Sequence, residues 1–344
     1  MPSRGGVASS IASFGNPSLR WERVKTWDAG IDLSLFGGKL TGKIDWYRKN
    51  SLDLIAEVSI PAINGTTMQA INAGEMYNTG VEITLGSSLP IAKRISWFGS
   101  LTYAYNKNKI TKFFRAQHNL TTYSIFPSYR EGSSFYNLFS FEYMGVNDNG
   151  VPCVRNYDGT MLPMYAIPNE TVDVRNWLVD SGVTVAPHVA GLRIGFSIYD
   201  FDISMTAVGK FGHVFRNTSY FRYNMTDDGQ KMIAHRDVSK ILDGTHPIPG
   251  LEKGDNRVAN YEDYLPMLDI YVHSANHIRF QEINLTYNIP TRIVNKIGLS
   301  RASVYLQAEN LGIIVSNDLG VDPEFLPGTV TPERAFTFGL KLNF

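Results

Sequence analysis

Apolar side chains recur at every second position in one segment after another, the period of a β-strand whose two faces meet different surroundings. The first segment sets Trp27, Ala29, Ile31, Leu33 and Leu35 against Asp28, Gly30, Asp32 and Ser34. Gly37-Gly38 supplies a tight turn. The returning strand alternates Leu40, Gly42, Ile44 and Trp46 with Thr41, Lys43, Asp45 and Tyr47. A second hairpin runs through Thr79, Val81, Ile83 and Leu85, turns near Leu89-Pro90, and returns through Trp97, Gly99, Leu101, Tyr103 and Tyr105. A third carries Leu192, Ile194, Phe196 and Ile198, turns at Tyr199-Asp200, and returns with Phe201, Ile203, Met205 and Ala207. Further alternating segments hold Ile283 to Ile289, Val304 to Ala308 and Phe336 to Phe344. Ile278 and Phe280 are out of phase with Ile283, which predicts a bulge near Gln281.

A soluble β-sandwich also alternates, but its strands average about 5–6 residues. The runs here reach roughly 9–12, the length of a tilted strand across a bilayer. Connection lengths alternate as well. Short turns fall at 37–38, 87–94, 199–200 and 290–300, and long loops at 57–74, 110–188, 212–277 and 311–331. Outer-membrane barrels pair short periplasmic turns with long external loops. The fold class expected is therefore all-β, a transmembrane antiparallel β-barrel segment in the outer membrane. Aromatic residues near strand ends, among them Trp21, Trp27, Trp46, Trp97 and Tyr287, suit interfacial girdles.

With a periplasmic C-terminus, counting back from the last strand gives nine strands and an external N-terminus. The region 110–188 must then hold zero or two crossings. Residues 131–150 alternate poorly, so 110–188 and 212–277 are expected to be extracellular loop subdomains. Single-chain bacterial barrels have an even strand number. Met1 also leads into PSRGGVASS without the basic and apolar regions of a leader. Both point to residues 1–344 as part of a longer barrel.

Composition narrows the classes. Thirty-two basic and 32 acidic residues leave no net charge, so nothing favours a nucleic-acid partner. No apolar run approaches the ~20 residues of a transmembrane helix. Cys153 is the sole cysteine and forms no internal disulfide. No phosphate loop, nucleophile elbow or HExxH motif occurs, so neither an enzyme nor a cofactor is expected. His273 and His277 would lie about 13 Å apart on a strand, too far to share a metal. Asp148, Asn149 and Asp158 suit either a calcium loop or an Asx-rich turn.

Several collinear motifs carry a resemblance. Asn16-Pro17-Ser18-Leu19-Arg20-Trp21-Glu22 with Gly30-Ile31-Asp32, Asn72-Ala73-Gly74-Glu75-Met76-Tyr77-Asn78-Thr79-Gly80, and Asn106-Lys107-Asn108-Lys109-Ile110 form the first half. Arg279-Phe280-Gln281-Glu282-Ile283, Glu309-Asn310-Leu311, Asp322-Pro323-Glu324 and Thr337-Phe338-Gly339-Leu340-Lys341-Leu342-Asn343-Phe344 form the second. Together they resemble the SusC/RagA family of TonB-dependent transporters. The resemblance implies a barrel of roughly 22 strands, of which these would be the C-terminal nine. It further implies import of a glycan or oligopeptide with a SusD-type surface lipoprotein. The TonB complex would act through a plug and barrel portion outside these 344 residues. The loop 212–277 lacks the Arg-Trp stretch of many members, which leaves the substrate class open.

Two sets of residues are candidates for function. Loop aromatics Tyr123, Tyr129, Tyr136, Tyr143, Tyr157, Trp177, Tyr220 and Tyr223 would contact ligand or lipoprotein, or pack the loops themselves. Phe336, Phe338, Leu340, Leu342 and Phe344 face outer-membrane lipid and resemble a barrel-assembly signal. The alternatives are an outer-membrane barrel enzyme or adhesin, or a soluble β-rich binding protein.

Overall fold

The computed structural model describes residues 15–59, 68–114, 129–148, 151–167, 173–217, 223–225, 231–233, 266–325 and 329–344. One sheet dominates them. Its strands are β1 (Arg23–Leu35), β2 (Leu40–Ser59), β3 (Met68–Ala92), β4 (Ile95–Phe113), β5 (His188–Ile198), β6 (Phe201–Phe211), β7 (His277–Asn288), β8 (Arg301–Val315) and β9 (Ala335–Asn343). They lie side by side in chain order, each pair antiparallel. Among the described residues the outer edges of β1 and β9 find no partner, so the sheet is open.

Register carries the alternation across the sheet. Leu33, Gly42, Leu85, Leu101, Leu192 and Ala207 stand in one transverse row. Ile203, Leu285, Leu306 and Phe338 form another. Directly behind the latter, Ser204, Asn284, Gln307 and Thr337 line the other face. Many apolar side chains of the first face stay exposed, including Ile44, Leu85, Leu101, Leu192, Ile203, Leu285 and Leu306. A continuous belt of this size has no place in water; lipid is its natural solvent.

Gln281 forms the predicted bulge. The register jumps from Phe280 to Glu282 against β8, and between Thr206 and Ala207 against β6. The extra residue returns Phe280 and Ile283 to a common face. At the β1–β2 turn, Phe36, Gly37 and Gly38 all have positive φ; at the two glycines that conformation is free of the Cβ penalty.

Three expectations need correction. First, β2, β3 and β4 are 20, 25 and 19 residues long, well beyond the predicted runs. The loop expected at 57–74 shrinks, because β2 continues to Ser59 and β3 begins at Met68. Register breaks at Ser51/Leu54 and Leu54/Ile55, with Asp53 at φ 56°, destroy the period-two signal there. Second, the turn at 290–300 holds a helical turn, Thr291–Val294, and a 3-10 turn, Asn295–Ile297. Val294, Leu299 and Ala302 cluster beneath it with Ile289. Third, β8 extends to Val315 and β9 starts at Ala335.

Among the described residues, the region 110–188 contributes no further strand to the main sheet between β4 and β5. Asn137–Phe141 pairs with Leu178–Val183, and Tyr143–Val146, Pro152–Arg155 and Met161–Pro163 form a three-stranded sheet. The two long loops, read separately from the sequence, share one core. Phe139, Phe141, Val154, Met164, Trp177 and Leu178 of the first pack with Leu268 and Tyr271 of the second. A parallel bridge joins Phe141 to Leu268. Arg216 Nη2 donates to Phe139 O and Ser140 Oγ, both at 2.7 Å.

Candidate functional site

The polar face of the sheet carries a group of charges near the ends of β6 and β7. Lys210 pairs with His277 in the register, and Val208 with Arg279. The connection after β8 folds back over this face. Arg279 donates to both carboxylate oxygens of Asp322, at 2.9 and 2.8 Å, and twice to Glu324 Oε2, at 3.0 and 2.7 Å. Lys210 Nζ donates to Glu324 Oε1. His277 Nε2 lies 3.7 Å from Glu324 Oε2. The ring of Phe325 sits under the Arg279 guanidinium, 5.6 Å away, a cation–π contact.

The backbone of this connection is shaped for the purpose. Asn317 accepts from Val321 N and donates to Val321 O, closing a loop that presents Asp322 and Glu324. Asp322 accepts the Glu324 amide. Ser274–Ser316 and His273–Asp318 contacts fasten its start. Burial pushes the Glu324 carboxyl up, but hydrogen bonds and charge from Lys210 and Arg279 outweigh it and leave its pKa below the ordinary value. His213 stands nearby, its ring 5.9 Å from that of His277. Burial, then the charges of His277 and Lys210, depress its pKa to about 4. The ring is therefore neutral above that pH.

The loop aromatics divide by position. Trp177 is 2% exposed and belongs to the shared core, with Tyr143 packed against that core. Trp177 is buried and Tyr143 half-buried. Tyr157 is 67% exposed and stacks on the Trp177 ring at 6.4 Å. Tyr129 stacks on Phe135 at 4.5 Å, and Phe135 meets Tyr136 edge-on at 5.4 Å. Tyr136 remains exposed. Tyr123 and Tyr220 lie outside the described residues, and Tyr223 is placed only as the first residue of a short strand, Tyr223–Met225.

No group of three or more His, Cys, Asp or Glu residues suited to a metal occurs among the described residues. Asp158 Oδ1 accepts from the Thr160 amide and hydroxyl, at 2.9 and 2.6 Å, which makes the Asx turn. Asn149 lies outside the described residues. The β9 side chains Phe336, Phe338, Leu340 and Leu342 are all exposed on the apolar face, and Phe344, just after the strand, is exposed as well. On the polar side of β9, Gly339 leaves room for the Tyr305 ring, which a Cβ would strike.

Residues 2–231 match the family described as "TonB dependent receptor-like, beta-barrel". The chain belongs to this family. Two curated relatives agree along nearly the whole chain. TonB-dependent receptor SusC of Bacteroides thetaiotaomicron is 26% identical, over 96% of this chain and 32% of its own length. TonB-dependent receptor P3 of Formosa agariphila is 22% identical, over 97% and 35%. The solved structure of the RagAB peptide transporter superimposes with a TM-score of 0.71 at 21% identity, covering 97% of this chain and 36% of that one. The chain thus spans about a third of the length of the relatives it matches.

Within this TonB-dependent receptor barrel, an outer-membrane fold, the polar face is the lumen face. Several motif residues act as staples. Arg20 and Arg23 both donate to the Asp53 carboxylate, at 2.8 and 2.6 Å. Asn72 accepts the Arg20 amide and donates to Arg20 O and Asp53 O. The segment before β1 is thereby sewn to the β2–β3 irregularity. The lumen group built on Lys210, His213, Arg279 and Glu324 was not read from sequence. Its one visible signal is cationic Lys210 and Arg279 at polar-face positions of two neighbouring strands, together with an Asp-Pro-Glu turn.

Proposed function

We propose that this chain forms part of the wall of a TonB-dependent importer that carries a glycan or oligopeptide across the outer membrane. The carrying observation is the two-faced sheet, lipid-compatible outside and charged inside, whose long connections all leave at one end. That end faces the cell exterior in this reading, and Phe344 the periplasm. Unpaired backbone at β1 and β9 would be untenable in lipid, so further strands of the same protein or of another chain complete the barrel. A plug and the TonB contact accompany them. The names of the relatives, SusC and a RagAB peptide transporter, support this assignment. A SusD-type lipoprotein would seat on the loop aromatics, with Tyr129, Tyr136 and Tyr157 as the exposed or rim contacts. Tyr123, Tyr220 and Tyr223 are proposed for the same surface.

Growth tests the reading. Deleting the gene should abolish growth on one polymeric nutrient and spare growth on its monomers, and the full-length gene should restore it. Unchanged growth on every glycan and peptide supplied would refute import.

A further inference from the structure

The lipid-facing side of β1 to β4 changes character in ordered rows toward the long-loop end. The first row above the Leu33 to Leu192 row is apolar, with Ile31, Ile44, Ile83 and Tyr103. The next is Ala29, Trp46, Val81, Tyr105 and His188, an aromatic girdle in which the Tyr105 and His188 rings lie 4.9 Å apart. Then cations appear. Trp27, Arg48, Thr79 and Lys107 share one row, and Lys25, Asn50, Tyr77 and Lys109 the next. Arg48 lies over the Tyr77 ring at 4.6 Å. Strand spacing makes the group roughly 14 Å wide and about 7 Å high.

None of these four cations forms an ion pair among the described residues; the nearby acids Asp53 and Glu75 are taken by Arg20, Arg23 and Lys112. Lys107 and Lys109 also line a cleft of about 340 Å³ where β4 parts from β5. Asn137 lines the same cleft, and its buried Nδ2 has no hydrogen-bond partner among the described residues. Among the described residues the one carboxylate of the lining is Asp180, engaged by the Gly182 amide through Oδ1.

We propose that Lys25, Arg48, Lys107 and Lys109 bind the phosphorylated headgroup of an outer-leaflet lipid, with its acyl chains on the apolar rows below. Arg48 Nε also donates to Asn50 Oδ1 at 3.3 Å, but cations with no carboxylate partner among the described residues, just beyond an aromatic girdle, stand at headgroup level, where each attracts anionic lipid. Acyl chains supply what a free phosphate lacks, since the belt runs without interruption from the cations into the hydrocarbon region. The proposal rests on the orientation proposed above, in which this end faces outward.

Native mass spectrometry of the full-length protein from nanodiscs tests the site independently of orientation. The probes are lipid A carrying its phosphates and the same lipid A dephosphorylated, each diluted in phosphatidylcholine. The phosphorylated form should be retained selectively. Lys107→Gln/Lys109→Gln should reduce retention on the order of tenfold, and Arg48→Gln should reduce it separately. Equal retention of the two lipids, or unchanged retention by both folded variants, would overturn the site. Labelling of a Gly38→Cys variant on intact cells reads the orientation by itself. Protection supports an outward-facing cation row, and labelling from outside would overturn the orientation alone.

Discussion

Arg279→Ala is expected to release the 316–325 connection from the lumen face and to cost about 3–5 kcal/mol locally. The guanidinium is largely buried and holds two carboxylates, those of Asp322 and Glu324, through four hydrogen bonds. Removing it leaves Asp322 without its charged partner and Glu324 with Lys210 and the His277 ring. The loss exceeds that of an exposed ion pair, usually below about 1 kcal/mol, because the surviving carboxylates stay partly desolvated. Amide hydrogen exchange across 316–325 in the full-length protein should accelerate roughly 100-fold or more, at 1.4 kcal/mol per tenfold. Adding Asp322→Asn should recover part of the protection, since the carboxylate left without a charged partner is then neutral while Glu324 keeps Lys210. Exchange that remained at the parental rate in Arg279→Ala would show that the connection is held by its backbone alone.

Phe141→Ala is expected to loosen both long loops at once. Phe141 is fully buried and bridges to Leu268 in the other loop. Large-to-small changes at such sites cost about 3–5 kcal/mol. The shared core predicts faster exchange in both 137–183 and 266–272, with the β4 to β7 ladders unchanged. Loosening confined to 137–146 would mean that the two loops are energetically separate.

The main sheet was legible because lipid on one side and polar groups on the other impose a strict period of two. The Gln281 bulge was legible for the same reason, as a change of phase between Phe280 and Ile283. The pattern failed where that constraint ends. Beyond the girdle, β2 and β3 continue through two register breaks, with Ser51, Asp53, Val58 and Ala73 buried and Asp53 in a left-handed conformation, so no alternation marks their length. The shared loop core was hidden because Phe141 and Leu268 are 127 positions apart in the chain and joined by tertiary packing alone. The buried position of Trp177 was not legible because composition does not distinguish a buried aromatic from an exposed one. The Arg279 group required pairing register to place Lys210 beside β7, together with the fold-back of Glu324.

The central claim is that one face of this sheet meets lipid and the other a polar lumen. Single cysteines introduced from 201 to 206 of β6 test it, in the full-length protein carrying Cys153→Ala and reconstituted in lipid vesicles. Cys153 itself is fully buried, and burial raises its thiol pKa, so its replacement removes background without opening a reactive site. A charged, water-soluble maleimide should label Asp202→Cys, Ser204→Cys and Thr206→Cys, and spare Phe201→Cys, Ile203→Cys and Met205→Cys. Uniform labelling along β6, or labelling of the opposite parity, would contradict the account.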